Sequence, residues 1–294
     1  MRIKKTFGAI AMAAALSLTL AACTDSSTTP EPPGGEGTVK SDVNFPEGST
    51  MAKLKEAGKI TVGTKYDQPL FGLVGASGVP EGFDVEIAKL IASELGLSAD
   101  QIEFVETVSQ NREPFIQNGQ VDIVVATYTI NDTRKEVIDF AGPYYEAGQS
   151  FLVPASNPLG ITSDPESIGD ATICTVTGST SEKNIREHTD KVLAVDKYSD
   201  CLEPIRGGQA DALTTDNVIL AGLVSQNGEE FAVVDGTFTA EPYGIGLKKG
   251  DDDFRNFIND TLEDAYEDGR WEQAWTSTAG TVLETPDPPS VDRY

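Results

Sequence analysis

Val121-Asp122-Ile123-Val124-Val125-Ala126-Thr127-Tyr128-Thr129-Ile130-Asn131-Asp132-Thr133-Arg134 is an apolar run that stops at a polar segment and then enters a helix start. Val121 to Ala126 reads as a buried strand and Asp132 to Val137 as a short helix. The same unit recurs on both sides. Upstream, Lys59 to Thr64 reads as a strand. Phe83 to Leu95 reads as a helix, with Ile87, Leu90, Ile91 and Leu95 on one face and Gly96 as the stop. Ile102 to Glu106 is a strand and Asn111 to Gln117 a short helix. Downstream, strands at Ala171–Val176, Val192–Val195, Ala210–Thr214 and Phe231–Val234 alternate with helices at Ser179–Glu187, Ser199–Arg206 and Asn217–Ser225. Such alternation implies parallel sheets with helices on their faces. Two runs of it imply two α/β lobes. The helix rhythm breaks around Pro143-Tyr144-Tyr145-Glu146 and again around Glu241-Pro242-Tyr243-Gly244, which read as paired crossovers. Lobe 1 is therefore expected over 51–144 plus 244–294, and lobe 2 over 145–243. Phe254, Phe257, Ile258, Leu262 and Tyr266 stripe a late helix. The polar, Pro-rich tail after Ala279 is expected to wrap a surface or fray.

The 294 residues carry 47 acidic and 22 basic side chains, a formal net charge of −25, and 39% are hydrophobic. A normal core can be built. The acid excess argues against nucleic acid, whose backbone needs clustered Lys and Arg, and against a polybasic membrane patch. The one histidine, His188, lies in polar Asn-Ile-Arg-Glu-His-Thr-Asp and reads as a solvated helix residue. With three cysteines and one histidine, the chain is poorly stocked for a zinc site, and no cofactor is expected.

Arg2, Lys4 and Lys5 precede an apolar run of 14 residues, Phe7 to Leu20, too short to span a bilayer. It reads as a signal peptide over 1–22. Leu20-Ala21-Ala22-Cys23 resembles the bacterial lipoprotein cleavage box, in which the cysteine becomes the lipidated mature N-terminus. Of residues 24 to 50, 17 of 27 are Ser, Thr, Pro or Gly, so 23–50 reads as a flexible tether. The protein is then expected to be extracytoplasmic, anchored to the outer face of the cell membrane through Cys23. In that oxidising compartment Cys174 and Cys201 should pair.

Ligands of open α/β sheets sit beyond the carboxyl ends of strands. After Val121–Ala126, free N–H groups at a helix start favour an anion, and Arg134 adds a two-pronged donor for a carboxylate. Thr127 and Thr129 add hydroxyl or backbone partners. The competing reading makes Arg134 a surface ion-pair residue near Glu136 and the threonines caps; residue chemistry alone balances the two. After Ala210–Thr214 comes Thr215-Asp216-Asn217, where Asp216 could bind an ammonium or simply cap a helix. After Ala171–Val176, Thr177-Gly178-Ser179-Thr180-Ser181 offers a polar cradle, or a capping box from Ser179 to Glu182. After the first strand, Lys65, Tyr66 and Gln68 supply a cation, a ring and an amide. An Arg on one lobe and an Asp on the other suit a zwitterion that bridges the lobes and favours closure.

These residues resemble the solute-binding proteins of ABC importers for polar amino acids. Gly82-Phe83-Asp84-Val85-Glu86-Ile87-Ala88 is one match. Thr127 through Arg134 with Ile138-Asp139-Phe140 and Pro143-Tyr144 is the second. Gly207-Gly208-Gln209-Ala210-Asp211-Ala212 leading to Asp216 is the third, and Tyr243-Gly244-Ile245-Gly246 the fourth. The resemblance implies an α/β, two-lobed periplasmic-binding-protein-like (type II) fold with a two-strand hinge. It implies that Arg134 takes the α-carboxylate with Thr129 and Thr180. Asp216 then takes the α-amino group with the Thr127 backbone, and Lys65 reaches the ligand side chain. Tyr66, Gln68, Ser181 and Thr215 complete the expected ligand set. Gln68 stands where many members carry an aromatic, so Tyr66 or Phe71 is expected to supply the stacking face. The chain looks most like glutamate-binding lipoproteins of this family. L-Glutamate is the expected ligand, with aspartate, glutamine and asparagine as contenders, permease subunits as partners and a monomer as the state. An enzyme on the same scaffold, such as a cyclohexadienyl dehydratase, and a soluble sensor are the alternatives. Gly244 to Gly250 has the wrong spacing for a dinucleotide loop, and Asp251-Asp252-Asp253 reads as a helix start rather than a calcium loop.

Overall fold

The computed structural model describes residues 39–294. The signal segment and Cys23 lie outside the described residues. The chain first forms helix α1 (Thr50–Ala57) and strands β1 (Ile60–Thr64), β2 (Asp67–Gln68), β3 (Gly72–Val74) and β4 (Pro80–Glu81). Helix α2 (Phe83–Glu94), β5 (Ile102–Glu106), α3 (Arg112–Gln117), β6 (Ile123–Val124), α4 (Asp132–Lys135) and β7 (Asp139–Ala147) follow. A second run is β8 (Gln149–Pro154), β9 (Ile173–Val176), α5 (Thr180–Ile185), β10 (Val192–Val195), α6 (Leu202–Arg206), β11 (Ala212–Asp216), α7 (Asn217–Asn227) and β12 (Phe231–Val233). The chain returns through β13 (Glu241–Leu247) to α8 (Asp252–Asp268) and α9 (Arg270–Thr276).

Two five-stranded sheets form the two lobes, in the orders β5-β1-β6-β13-β7 and β10-β9-β11-β8-β12. Each is mixed rather than wholly parallel. β1 runs parallel to β5 and β6, while β13 is antiparallel to β6 and β7. In the second sheet β9 is parallel to β10 and β11, and β8 is antiparallel to β11 and β12. The antiparallel members are the strands that leave one lobe and return to it, which a repeated strand–helix unit does not reveal. β7 and β13 pair over Asp139↔Leu247 to Ala147↔Glu241 and make the two-strand hinge.

The core beneath the hinge is aromatic. Trp275 stacks on Tyr145 at 4.9 Å and meets Phe83 edge-on at 5.1 Å, and Phe71 sits edge-on to Phe83, Tyr145, Tyr243 and Trp275. α2 begins where Gly82 has φ +132°, and a Cβ there would lie 2.4 Å from the Phe71 backbone. A side chain at Gly82 would therefore push α2 off the core. Residues 40–49, read from composition as tether, are mostly exposed but are pinned to the lobe at a few points. Phe45 meets Phe257 edge-on at 5.5 Å, and Lys40 donates its backbone N–H to Ser93. A count of small and polar residues does not register one aromatic anchor. The tail after Ala279 wraps: the Phe140 N–H donates to the Tyr294 hydroxyl at 2.8 Å, and Arg293 pairs with Asp260 and Glu263.

Cys174 of β9 and Cys201 form a disulfide across a separation of 27 residues. Closing a loop of that length stabilises by about 3–4 kcal/mol in the chain-entropy account. The Cys174→Ser/Cys201→Ser double variant is expected to lose about that much in urea unfolding without ligand. His188 lies in the turn after α5, not in the helix, and meets Glu166 at 2.9 Å.

Candidate functional site

Four strand ends converge on the cleft between the sheets. Arg134 comes from α4, whose start is capped by the Asn131 side chain accepting from the Arg134 N–H at 2.9 Å. The guanidinium is buried, 7% exposed. Its Nη1 donates to the Thr129 carbonyl at 2.7 Å and its Nε to Glu113 at 3.0 Å, and it lies 4.9 Å over the Tyr128 ring. The ion partner is thus Glu113 of α3, not Glu136. Nη2 faces the Gly178 carbonyl across the cleft at 3.5 Å, too long for a strong bond, so donors remain free for a carboxylate. The Thr129 and Thr180 hydroxyls meet at 3.5 Å from opposite lobes beside it.

Asp216 stands at the end of β11 and at the N-cap position of α7, yet its side chain makes no cap bond. Its Oδ2 accepts from the Tyr243 hydroxyl at 2.6 Å, and its buried Oδ1 has no partner. Burial, then the charge of Glu241, pushes its pKa up to about 7. A buried acceptor without a donor is costly, and an ammonium would relieve it. Beside it the Ser181 hydroxyl donates to Thr215 at 3.3 Å and the Tyr198 hydroxyl reaches Ser181 at 3.5 Å.

Lys65 directly follows β1 and is 3% exposed, with Nζ donating to the Ser109 hydroxyl at 2.9 Å. Burial, then the nearby Arg112, brings its pKa down to about 7. Gln68 is fully buried; its Oε1 accepts from the Thr127 hydroxyl at 2.9 Å, and its Nε2 has no partner. Thr127 has φ +43°, a conformation that β-branched residues rarely adopt. Its N–H donates to Asp84 at 2.8 Å, which helps to hold it there. Asp84 also accepts from the Tyr144 hydroxyl of β7 at 2.6 Å. Two candidates point elsewhere. The Tyr66 hydroxyl donates to the Phe104 carbonyl at 3.0 Å, and Phe71 is fully buried in the aromatic core, so neither is placed as a stacking face.

Arg112, Ser109 and Asp84, which the sequence reading did not single out, contact these candidates. Arg112 is 3% exposed and donates to the Ala126 and Thr127 carbonyls at 3.2 and 3.4 Å. No strand end points to it. Asp84, by contrast, stands within Gly82–Ala88 at the start of α2, where a buried carboxylate needs a reason. Among the described residues no group of His, Cys, Asp or Glu could hold a metal ion.

Two α/β lobes joined by paired strands, with a buried Arg on one and a buried acid on the other, define a cleft-binding protein. The description of bacterial extracellular solute-binding proteins, family 3, matches residues 60–277, and the chain belongs to that family. It is 40% identical over 230 residues to an ABC transporter glutamine-binding protein of Bacillus subtilis, covering 77% of this chain and 83% of that one. It is 39% identical over 295 residues to a glutamate-binding protein of Corynebacterium glutamicum, covering 95% and 93%. An ancestral arginine-binding protein bound to glutamine superposes with a TM-score of 0.70 at 34% identity, covering 75% of this chain and 97% of that one. The family and these relatives make the chain a solute-binding protein rather than an enzyme, and place it outside the cytoplasm.

Proposed function

We propose that the protein binds L-glutamate in the cleft and delivers it to an ABC permease from a lipid anchor on Cys23. Arg134 holds the α-carboxylate with Thr129 and Thr180, Asp216 holds the α-ammonium, and Lys65 meets the side-chain carboxylate. The observation that carries the reading is the pairing of a buried guanidinium with spare donors and a buried, half-unpartnered carboxylate. The glutamine- and glutamate-binding relatives support an amide or acid side chain. Calorimetry over the twenty amino acids tests it. Tight binding of a basic or apolar amino acid with no heat from glutamate would overturn it.

Glutamine is the second reading, because Lys65 is held near neutrality and Gln68 offers a free amide donor. The two separate by pH. A ligand carboxylate raises the Lys65 pKa, so glutamate binding takes up a proton above about pH 7. Asp216 titrates in the opposite sense, yet it acts equally on both ligands. Selectivity for glutamate over glutamine is therefore expected to fall as pH rises from about 6.5 to about 8.5, by up to about tenfold per unit. A Kd ratio that stays flat over that range would exclude Lys65 from the side-chain contact.

A further inference from the structure

Asp67 lies at β2, one turn of chain beyond β1, on the lobe that carries Arg134. Its Oδ2 accepts the Tyr198 N–H at 3.0 Å, and the Ser199 N–H also points to it. Tyr198 opens the helical stretch Tyr198–Arg206, a 3-10 turn running into α6, on the other lobe. The residue that should cap this stretch from its own chain is Lys197, which has no side-chain cap bond. A helix start leaves its first N–H groups without intrahelical partners, and Asp is among the best residues to accept from them. Here the cap is supplied from across the cleft.

The surroundings fit a contact made by closure. Lys197 pairs with Glu106 across the same rim, and Gln110 Nε2 donates to Asp196 at 3.3 Å. Two glycines permit the approach. A Cβ at Gly178 would lie 2.9 Å from the Gln110 Cα, and one at Gly222 would lie 2.4 Å from the Pro69 carbonyl oxygen. The capped turn is anchored at its far end by Cys201, whose disulfide ties it to β9. It therefore meets Asp67 as part of the second lobe and not as a loose loop.

We propose that Asp67 is an affinity-determining residue that touches no ligand: it completes the Tyr198–Arg206 helix start only when the lobes close, and so weights the closed form. The inference rests on the cleft being an amino-acid site. Apparent affinity scales with the fraction of protein in the competent form, so a lost closure contact weakens binding without changing ligand preference. Asp67 also lies near Lys65, so its charge must be separated from its cap. Asn accepts the same N–H bond without the charge, whereas Ala does not.

The test uses the full chain with L-glutamate and L-glutamine as probes. Asp67→Ala is expected to weaken both about three- to thirtyfold, with their ratio kept, and Asp67→Asn to stay within about threefold of the parent. The ligand-free melting temperature is expected to be unchanged, because the bond crosses the lobes. The Tyr198 amide is expected to gain protection from hydrogen exchange on adding glutamate in the parent and in Asp67→Asn, and not in Asp67→Ala. Equal affinities of parent and Asp67→Ala, or an Asn variant that falls with the Ala variant, would overturn the cap. Failure of the parent to bind either amino acid would sink the functional reading instead. The amide comparison is then made with whichever of the twenty amino acids binds the parent: Tyr198 protection gained in the parent and lost in Asp67→Ala supports the cap, and equal protection in both overturns it.

Discussion

Arg134→Lys is expected to weaken glutamate binding on the order of a thousandfold, and Arg134→Ala to abolish it. Truncating one partner of a buried, hydrogen-bonded charge pair costs about 2–5 kcal/mol, and each 1.4 kcal/mol is tenfold in Kd. The upper half of that range applies here. Arg134 is buried, and two of its donors are already committed to Thr129 and Glu113, which fix the plane of the guanidinium. Burial lowers its pKa, but from a value high enough that the charge stays. Lysine keeps the charge and loses the planar fork, so it cannot hold Thr129, Glu113 and a carboxylate together. Alanine also leaves Glu113 without its cation, so a folding loss accompanies it; the lysine variant isolates binding. Calorimetry and ligand-induced thermal shift read the effect. A lysine variant within about threefold of the parent would remove Arg134 from the carboxylate site.

The architecture was legible because the strand–helix rhythm is carried by long apolar runs. Ile102–Glu106 and Val192–Val195 are strands with the bounds read from the sequence. Val121–Ala126 shrinks to Ile123–Val124, yet Asp122 and Val125 still donate to the Thr61 and Gly63 carbonyls of β1, so the segment lies where it was read. The small sheet β2-β3-β4 was invisible, since strands of two or three residues carry no periodicity. In the site, strand ends pointed to Arg134, Asp216 and Lys65 because such positions are general to the architecture. What surrounds them was not local in sequence. Glu113 reaches Arg134 from 21 residues away and Ser109 reaches Lys65 from 44. Phe71 and Tyr66 show the same limit from the other side. A ring in a loop beside the site can as well belong to the core or to a neighbouring strand.

Asp216→Asn separates what the site does for the ligand from what it costs the fold. The amide keeps the shape and can still accept from Tyr243, but it loses the charge that an ammonium needs. Binding of glutamate and glutamine alike is expected to fall at least a hundredfold at neutral pH. The ligand-free protein should move the other way. Burial raises the Asp216 pKa to about 7 from 3.8, so the folded state holds its proton where the unfolded chain releases it. Stability from this group is then lost as pH rises from about 4 to about 7, where the carboxylate must ionise without a partner on Oδ1. Asparagine removes that cost. The variant's ligand-free melting temperature should exceed the parent's at pH 7 and match it near pH 4, while its ligand-induced shift disappears. Binding sites hold such groups at the expense of stability, and the bound ammonium returns the difference only when the cleft is filled. An Asn variant that melts lower than the parent at neutral pH would show Asp216 to be a structural carboxylate. Retained affinity would move the ammonium site elsewhere.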